Sequence, residues 1–164
     1  MAVRTAEEMT TSVTWAFLRS GEGSGRLPEG GQGIALAMAQ IPPGLPRARR
    51  MQAILDRDGR CCVWCSRPLD VGDRALTFEH VVPRLKGGPA WAENEVPACR
   101  TCNRQRGHMA PSAWLEERAG RGLRPRRDVV ERSLLALRDA IAERGGQRKA
   151  RPYLARELRR LGLE

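Results

Sequence analysis

Four of the five cysteines in the sequence form two pairs whose spacing suits a metal ion. Cys62 and Cys65 make one CxxC pair, Cys99 and Cys102 make the other, and 33 residues separate the pairs. A two-residue spacer lets both thiolates of a pair bind one side of a tetrahedral zinc ion, at about 2.3 Å from each sulfur. Two pairs complete a four-thiolate set with no open position for a substrate. The spacing therefore predicts a structural zinc ion that holds the fold and performs no chemistry.

A redox function is the alternative for a CxxC pair. It is disfavoured because no βαβ pattern surrounds either pair. Cys61 could replace Cys62 as a ligand in principle, but its spacing to Cys65 fits less well. We interpret Cys61 as a spare, partly buried thiol.

A candidate for catalysis lies between the two cysteine pairs. Glu79 and His80 are adjacent in the run 76–82, whose β-branched and aromatic residues predict a strand that Pro83 ends. Adjacent residues of a regular strand point to opposite faces, so this carboxylate and imidazole reach one phosphate only if the backbone bends. A lone histidine in a strand is more often structural than catalytic. The residues alone leave both interpretations open.

Apolar spacing predicts the elements that must position these residues. We expect a helix over 47–58, a second strand over 95–98, a helix from near Cys99 to Gly107 and a short helix over 112–119. A longer helix should open at Asp128, with Glu131 completing a capping box, and end at Gly145. A last helix should cover 153–161. The apolar stripes of these helices are expected to face the core.

Composition and charge limit the classes of function. The 164 residues correspond to about one domain. The net charge of +10 and pI near 10.8 favour a polyanionic partner, although 27 Arg against 2 Lys could also reflect a GC-rich genome. The composition excludes collagen, a fully disordered chain and a membrane-spanning protein. No signal-peptide pattern is seen, so we expect a cytoplasmic protein whose cysteines are reduced.

Several motifs occur in order and interleave with the cysteines. They are the run 57–65 around the first pair, the run 77–84 with Glu79 and His80, Gly87-Gly88, Trp91, the run 94–103 and Gly107. Together they resemble the four-cysteine, zinc-containing HNH endonuclease family over about residues 47–118. The resemblance implies an α+β fold, with a small ββα-metal core of the HNH or His-Me finger type, a structural four-cysteine zinc site and flanking N- and C-terminal helices. Three segments follow: an N-terminal arm (1–46) with two weak helix candidates at 6–19 and 34–40, the nuclease domain (47–118), and a basic helical C-terminal extension (119–164).

The resemblance also implies roles for single residues. His80 would be the general base that deprotonates a water molecule for attack on phosphorus. Glu79 stands where Asp is commoner, and Glu79 and Asn103 would ligate a catalytic Mg²⁺ or Mn²⁺ ion. Asn94 would tie the loop between the strands so that His80 keeps its orientation. The implied function is metal-dependent hydrolysis of DNA, with 5′-phosphate and 3′-hydroxyl products, either by nicking or by double-strand cleavage.

Basic residues around this motif could hold the substrate. Those nearest in sequence are Arg84, Lys86, Arg100, Arg104 and Arg106. Such residues supply affinity for phosphates and no base specificity. We expect DNA, in duplex form, as the partner. The rival hypothesis is a non-catalytic zinc module that binds nucleic acid, and the oligomeric state stays open.

Overall fold

The computed structural model of the chain describes residues 41–70 and 75–164. The described elements are α1 (Arg47–Asp58), β1 (Leu76–His80), β2 (Glu95–Cys99), α2 (Arg100–Arg106), α3 (Pro111–Gly120), α4 (Arg127–Arg144) and α5 (Ala150–Leu161). Two three-residue 3-10 turns, Arg84–Lys86 and Ala92–Asn94, lie between the strands. The expected α+β class is confirmed, with a ββα unit formed by β1, β2 and α2 and helices on either side of it in sequence. The helix candidates at 6–19 and 34–40 fall outside the described residues.

The two strands form an antiparallel sheet with a regular register. Leu76 pairs with Cys99 at one end and His80 pairs with Glu95 at the other. The predicted strand was too long at its end, since β1 stops at His80 and not at Val82. The reason is local: the Asn94 side chain binds both the N–H and the C=O of Val82, at 2.8 and 3.0 Å, in place of a neighbouring strand.

One hydrophobic cluster joins the cysteine region to the sheet and to the C-terminal helices. Trp64 from the first cysteine pair, Val96 from β2, Trp114 from α3, Leu134 from α4 and Leu158 from α5 are all buried in it. The apolar stripes of α4 and α5 therefore complete the core that surrounds the sheet. None of the helices within 41–70 and 75–164 is both long and apolar enough to cross a membrane.

The start of α4 differs from the predicted capping box. The helix begins at Arg127, its N-cap residue is Arg126, and no side chain caps it. Tertiary contacts fix the chain here: the Arg126 N–H donates to Val63 O at 2.7 Å and its guanidinium donates to Asp58 O. Glu131 pairs with Arg127 one turn away. Asp128 lies in the first turn, where it still interacts favourably with the helix dipole.

Candidate active site

The two cysteine pairs meet in one cluster. The Sγ atoms of Cys62, Cys65, Cys99 and Cys102 all lie within 4.8 Å of one another. Sulfurs around a tetrahedral zinc ion stand about 3.8 Å apart when each bond is about 2.3 Å long, so this donor set fits zinc. Burial raises the pKa of the Cys62 thiol to about 12, so binding of the metal must release protons. The predicted four-cysteine metal site is confirmed as a geometric cluster.

Backbone geometry at each cysteine pair brings the four sulfurs together. The first pair lies in a tight loop in which the Ser66 N–H donates to Cys62 O at 2.8 Å and Ser66 adopts a φ of 57°. The second pair spans the junction of β2 and α2, where Cys99 is the N-cap residue of the helix and accepts from the Cys102 N–H. The two pairs therefore approach each other from a loop and from a strand-to-helix junction. The buried Arg118 of α3 donates to Cys102 Sγ at 3.5 Å, a contact that the sequence did not indicate.

Asn94 is fully buried and fixes the chain on both sides of the loop between the strands. Its Oδ1 accepts from Val82 N, and its Nδ2 donates to Val82 O and to Pro89 O. The backbone C=O of Asn94 accepts from the Val81 N–H at 2.9 Å. These contacts hold the two residues that directly follow His80.

Glu79 lies on the face of β1 that packs against α2. Its carboxylate is buried and accepts from two donors, the guanidinium of Arg106 and the indole N–H of Trp64. Arg106 also donates to His80 O and Val81 O, at 3.0 and 2.6 Å. Burial raises the pKa of the Glu79 carboxyl, and the Arg106 charge opposes that rise. Both oxygens of Glu79 are therefore engaged by protein groups.

Asn103 reaches the same side of β1 from α2. Its Nδ2 donates to Thr77 Oγ1 at 3.0 Å. Thr77 and Glu79 are two residues apart on the strand and share a face, while Asn103 and Arg106 are one turn apart on the helix. The structure thus places Glu79 and Asn103 at one interface between β1 and α2. For Asn103 Oδ1, no hydrogen-bond donor is found among residues 41–70 and 75–164.

His80 lies on the opposite face of β1 from Glu79. Pairing stays regular up to His80, and its Nε2 is 3.7 Å from an oxygen of Glu95, its partner on β2. Burial lowers the pKa of the His80 imidazole, Glu95 opposes that effect, and the charges of Arg84, Arg50 and Arg47 lower it further. The imidazole is therefore mostly neutral at pH 7, and both the Glu95 carboxylate beside it and the three arginines act on it.

Glu95 and Arg50 also lie near His80, although the sequence motifs did not indicate either residue. Arg50 of α1 donates to both carboxylate oxygens of Glu95, at 2.8 and 3.4 Å. The Glu95 side chain is only 8% exposed. Its contact with His80 follows directly from strand register, since the two residues are paired across the sheet. A correct pairing of the predicted strands would have indicated it.

The basic residues expected to hold a substrate divide into two groups. Arg84, Lys86, Arg100 and Arg104 are exposed. Arg106 is 2% exposed and turned inward, so it is not available as a surface contact for phosphates. The buried guanidinium pairs with Glu79 and donates to two backbone carbonyls, those of His80 and Val81. Exposed His108 follows the end of α2, and Cys61 lies outside the sulfur cluster.

The comparison with protein families agrees with the motifs. Residues 62–117 match a family model described as HNH endonuclease. This stretch contains both cysteine pairs, the whole two-stranded sheet, α2 and most of α3. No curated protein and no solved structure matches the chain. The resemblance of this segment to the HNH endonucleases is thereby confirmed.

Proposed function

We propose that the chain is a metal-dependent endonuclease that hydrolyses phosphodiester bonds in DNA, with His80 as the general base. The observation that supports this most is the position of His80 at the end of β1, inside the segment that matches HNH endonucleases. A neutral imidazole can take a proton from water at neutral pH. The arginine charges around it would attract the phosphate that the water attacks.

Asn94 serves this reaction without touching the substrate. It holds Val82 and Pro89, and so fixes the chain that leaves His80. Because a general base must lie within hydrogen-bond reach of the water that it deprotonates, a small displacement of the imidazole lowers the rate. Asn94 is therefore a positioning residue in this proposal.

Glu79 and Asn103 are the residues that would hold the catalytic ion. Carboxylate and amide oxygens suit Mg²⁺ or Mn²⁺, and both side chains lie at the interface of β1 and α2. When bound, the ion would stabilise the charge that develops on the phosphate and on the departing 3′ oxygen. Glu79 must give up its contact with Arg106 or Trp64 to bind an ion, and the backbone must bend after Glu79 for the ion and His80 to reach one phosphate. The Glu79 side chain is one methylene longer than Asp, and we propose a preference for Mn²⁺ over Mg²⁺.

The substrate in this proposal is duplex DNA. The exposed cations near the site are Arg84, Lys86, Arg100 and Arg104. They suit a phosphate backbone and carry no base specificity. The four-thiolate cluster requires reduced cysteines, and this supports a cytoplasmic location.

A non-catalytic zinc module that binds nucleic acid is the second candidate. Two observations favour it: Glu79 and His80 lie on opposite faces of β1, and both oxygens of Glu79 already accept hydrogen bonds. Such a module would bind DNA through the same exposed cations. It would cleave neither strand of the DNA.

Plasmid cleavage separates the two candidates. Supercoiled plasmid is incubated with the zinc-loaded chain, with and without added Mn²⁺ or Mg²⁺. We expect nicked or linear product only when a divalent ion is added, and a ligase should reseal the nicks because they carry 5′-phosphate and 3′-hydroxyl ends. Binding of the plasmid with no strand broken under any of these conditions would favour the zinc module and reject the endonuclease.

A further inference from the structure

A single apolar side chain stands out from the basic surface beside the proposed site. Leu85 is 56% exposed, and among the described residues only Met109, at 38%, is another exposed large hydrophobic side chain. Leu85 is the middle residue of the 3-10 turn Arg84–Lys86, so exposed cations flank it on both sides. Single exposed apolar residues are common on protein surfaces. The turn that carries this one has two further properties.

The first property is that the backbone of the turn is fixed. Within it, the Lys86 N–H donates to Pro83 O at 2.8 Å and the Gly87 N–H donates to Arg84 O at 2.9 Å. At Gly88 a Cβ atom would lie 1.8 Å from Val82 O, so no side chain fits there. Asn94 binds the chain both before and after the turn. Leu85 is therefore presented by a preorganised backbone, which reduces the ordering cost of binding.

The second property is that the turn lies between the proposed catalytic base and a further cation. The charge of Arg84 acts on the His80 imidazole. On the other side, Gly87 packs against the start of α5: its φ is +87°, and a Cβ atom there would lie 2.8 Å from Lys149 Cβ. Lys149 is exposed. The turn that carries the exposed leucine thus contains Arg84 and Lys86 and packs, through Gly87, against Lys149.

We propose that Leu85 is a wedge that enters the minor groove of duplex DNA and partly separates two stacked base pairs, while Arg84 and Lys86 bind phosphates on either side. The partner follows from the chemistry of the turn: the cations complement a polyanion, and a base stack supplies an apolar surface within it. Proteins that bind the minor groove insert leucine in this way and kink the duplex. The kink would bring a backbone phosphate towards His80. This inference rests on the proposed endonuclease function, because it takes DNA as the partner.

Unstacking can be measured with 2-aminopurine, whose fluorescence rises when it leaves the stack. A short duplex carries the probe at a central TpA step, which unstacks readily, and the full zinc-loaded chain is added without Mg²⁺ or Mn²⁺. Anisotropy of a labelled copy of the duplex measures occupancy. At saturation we expect emission to rise at least twofold with the wild-type chain, and this rise should be lost with Leu85→Ser. Met109→Ser, which removes the other exposed hydrophobic side chain, should keep the rise.

Cleavage supplies a second readout. Leu85→Ser should lower kcat/KM on fully paired duplex DNA about tenfold, and the loss should be smaller on a duplex with a central mismatch, because a mismatched step is already easy to unstack. An unchanged fluorescence rise in Leu85→Ser at equal occupancy would overturn the wedge. So would duplex cleavage by the wild-type chain with no rise in fluorescence, and in that case the endonuclease function would stand. A wild-type chain that neither binds nor cuts DNA would reject both proposals.

Discussion

At the scale of single residues, Arg106 is a buried charge next to the candidate site. Its guanidinium is fully buried, stacks over the ring of Trp64 at 5.0 Å, pairs with Glu79 and donates to two backbone carbonyls. A buried charge is tolerated only when it is paired and hydrogen-bonded. Removal of one partner leaves the other charge buried and uncompensated, which costs more than the pair itself contributes.

We predict that Arg106→Met lowers the free energy of unfolding by about 3–5 kcal/mol. The double variant Arg106→Met with Glu79→Gln should be more stable than Arg106→Met alone, because it contains no unpaired buried carboxylate. Urea denaturation measures both. Arg104→Ala is the matched control, since it changes an exposed arginine of the same helix and should stay within about 0.5 kcal/mol of wild type. Equal stabilities for Arg104→Ala and Arg106→Met would contradict the structural role of Arg106.

Sequence patterns predicted which residues form the metal cluster and the candidate site better than they predicted the burial and contacts of each side chain. The cysteine spacing predicted the metal cluster because a CxxC pair has one dominant geometry around zinc. Arg106 was expected to contact phosphates because it is one of several basic residues that flank the motif in sequence. Its burial depends on the packing of α2 against β1 and Trp64, a contact between distant parts of the chain. Spacing along α2 alone does not reveal that contact.

At the scale of elements, Asn94 holds the chain where strand pairing ends. Its backbone C=O accepts from the Val81 N–H, and its side chain binds Val82 N, Val82 O and Pro89 O. A predicted strand over 76–82 therefore ends at His80. The helices were predicted to within a few residues because their apolar stripes face the interior: those of α3, α4 and α5 pack in the main cluster, and Ile54 of α1 packs in a second, smaller one. The predicted start of α4 was wrong because a tertiary contact of Arg126 fixes the chain there, and no capping box forms.

We predict that Asn94→Ala lowers both stability and turnover. The variant leaves Val82 N, Val82 O and Pro89 O without their partner, and each unsatisfied buried polar group costs about 1–3 kcal/mol. The free energy of unfolding should fall by at least about 2 kcal/mol, and kcat should fall more than KM rises. Asn103→Ala provides the contrast, because it should lower cleavage and change stability little. An Asn94→Ala chain with wild-type stability and rate would show that the loop does not depend on this side chain.

At the scale of the whole molecule, the four-cysteine cluster and the hydrophobic core are one unit. Cys62, Cys99 and Cys102 are buried in the same cluster that contains Trp64, Trp114 and the apolar faces of α4 and α5. Metal binding at a site built from distant parts of the chain is coupled to folding. The C-terminal helices, expected as an extension, bury their apolar faces in this core.

We predict that Cys99→Ser abolishes the stable fold and not only activity. The variant should bind no zinc at stoichiometric concentration and lose cooperative thermal unfolding, as measured by circular dichroism and metal analysis. Cys61→Ser is the matched control, because Cys61 lies outside the sulfur cluster. It should retain one zinc ion per chain and a wild-type Tm. Full helicity and unchanged Tm in Cys99→Ser would refute the structural role of the metal.

His80 is the proposed general base, and the comparison of two histidine variants tests this role most directly. The chain contains only His80 and His108, and His108 is exposed beyond the end of α2. Plasmid cleavage in Mn²⁺ should fall at least 100-fold in His80→Ala, with zinc content and Tm unchanged, since general-base catalysis contributes about 10²–10⁴-fold. His108→Ala should cut like wild type. Cleavage by His80→Ala at the wild-type rate would contradict the account.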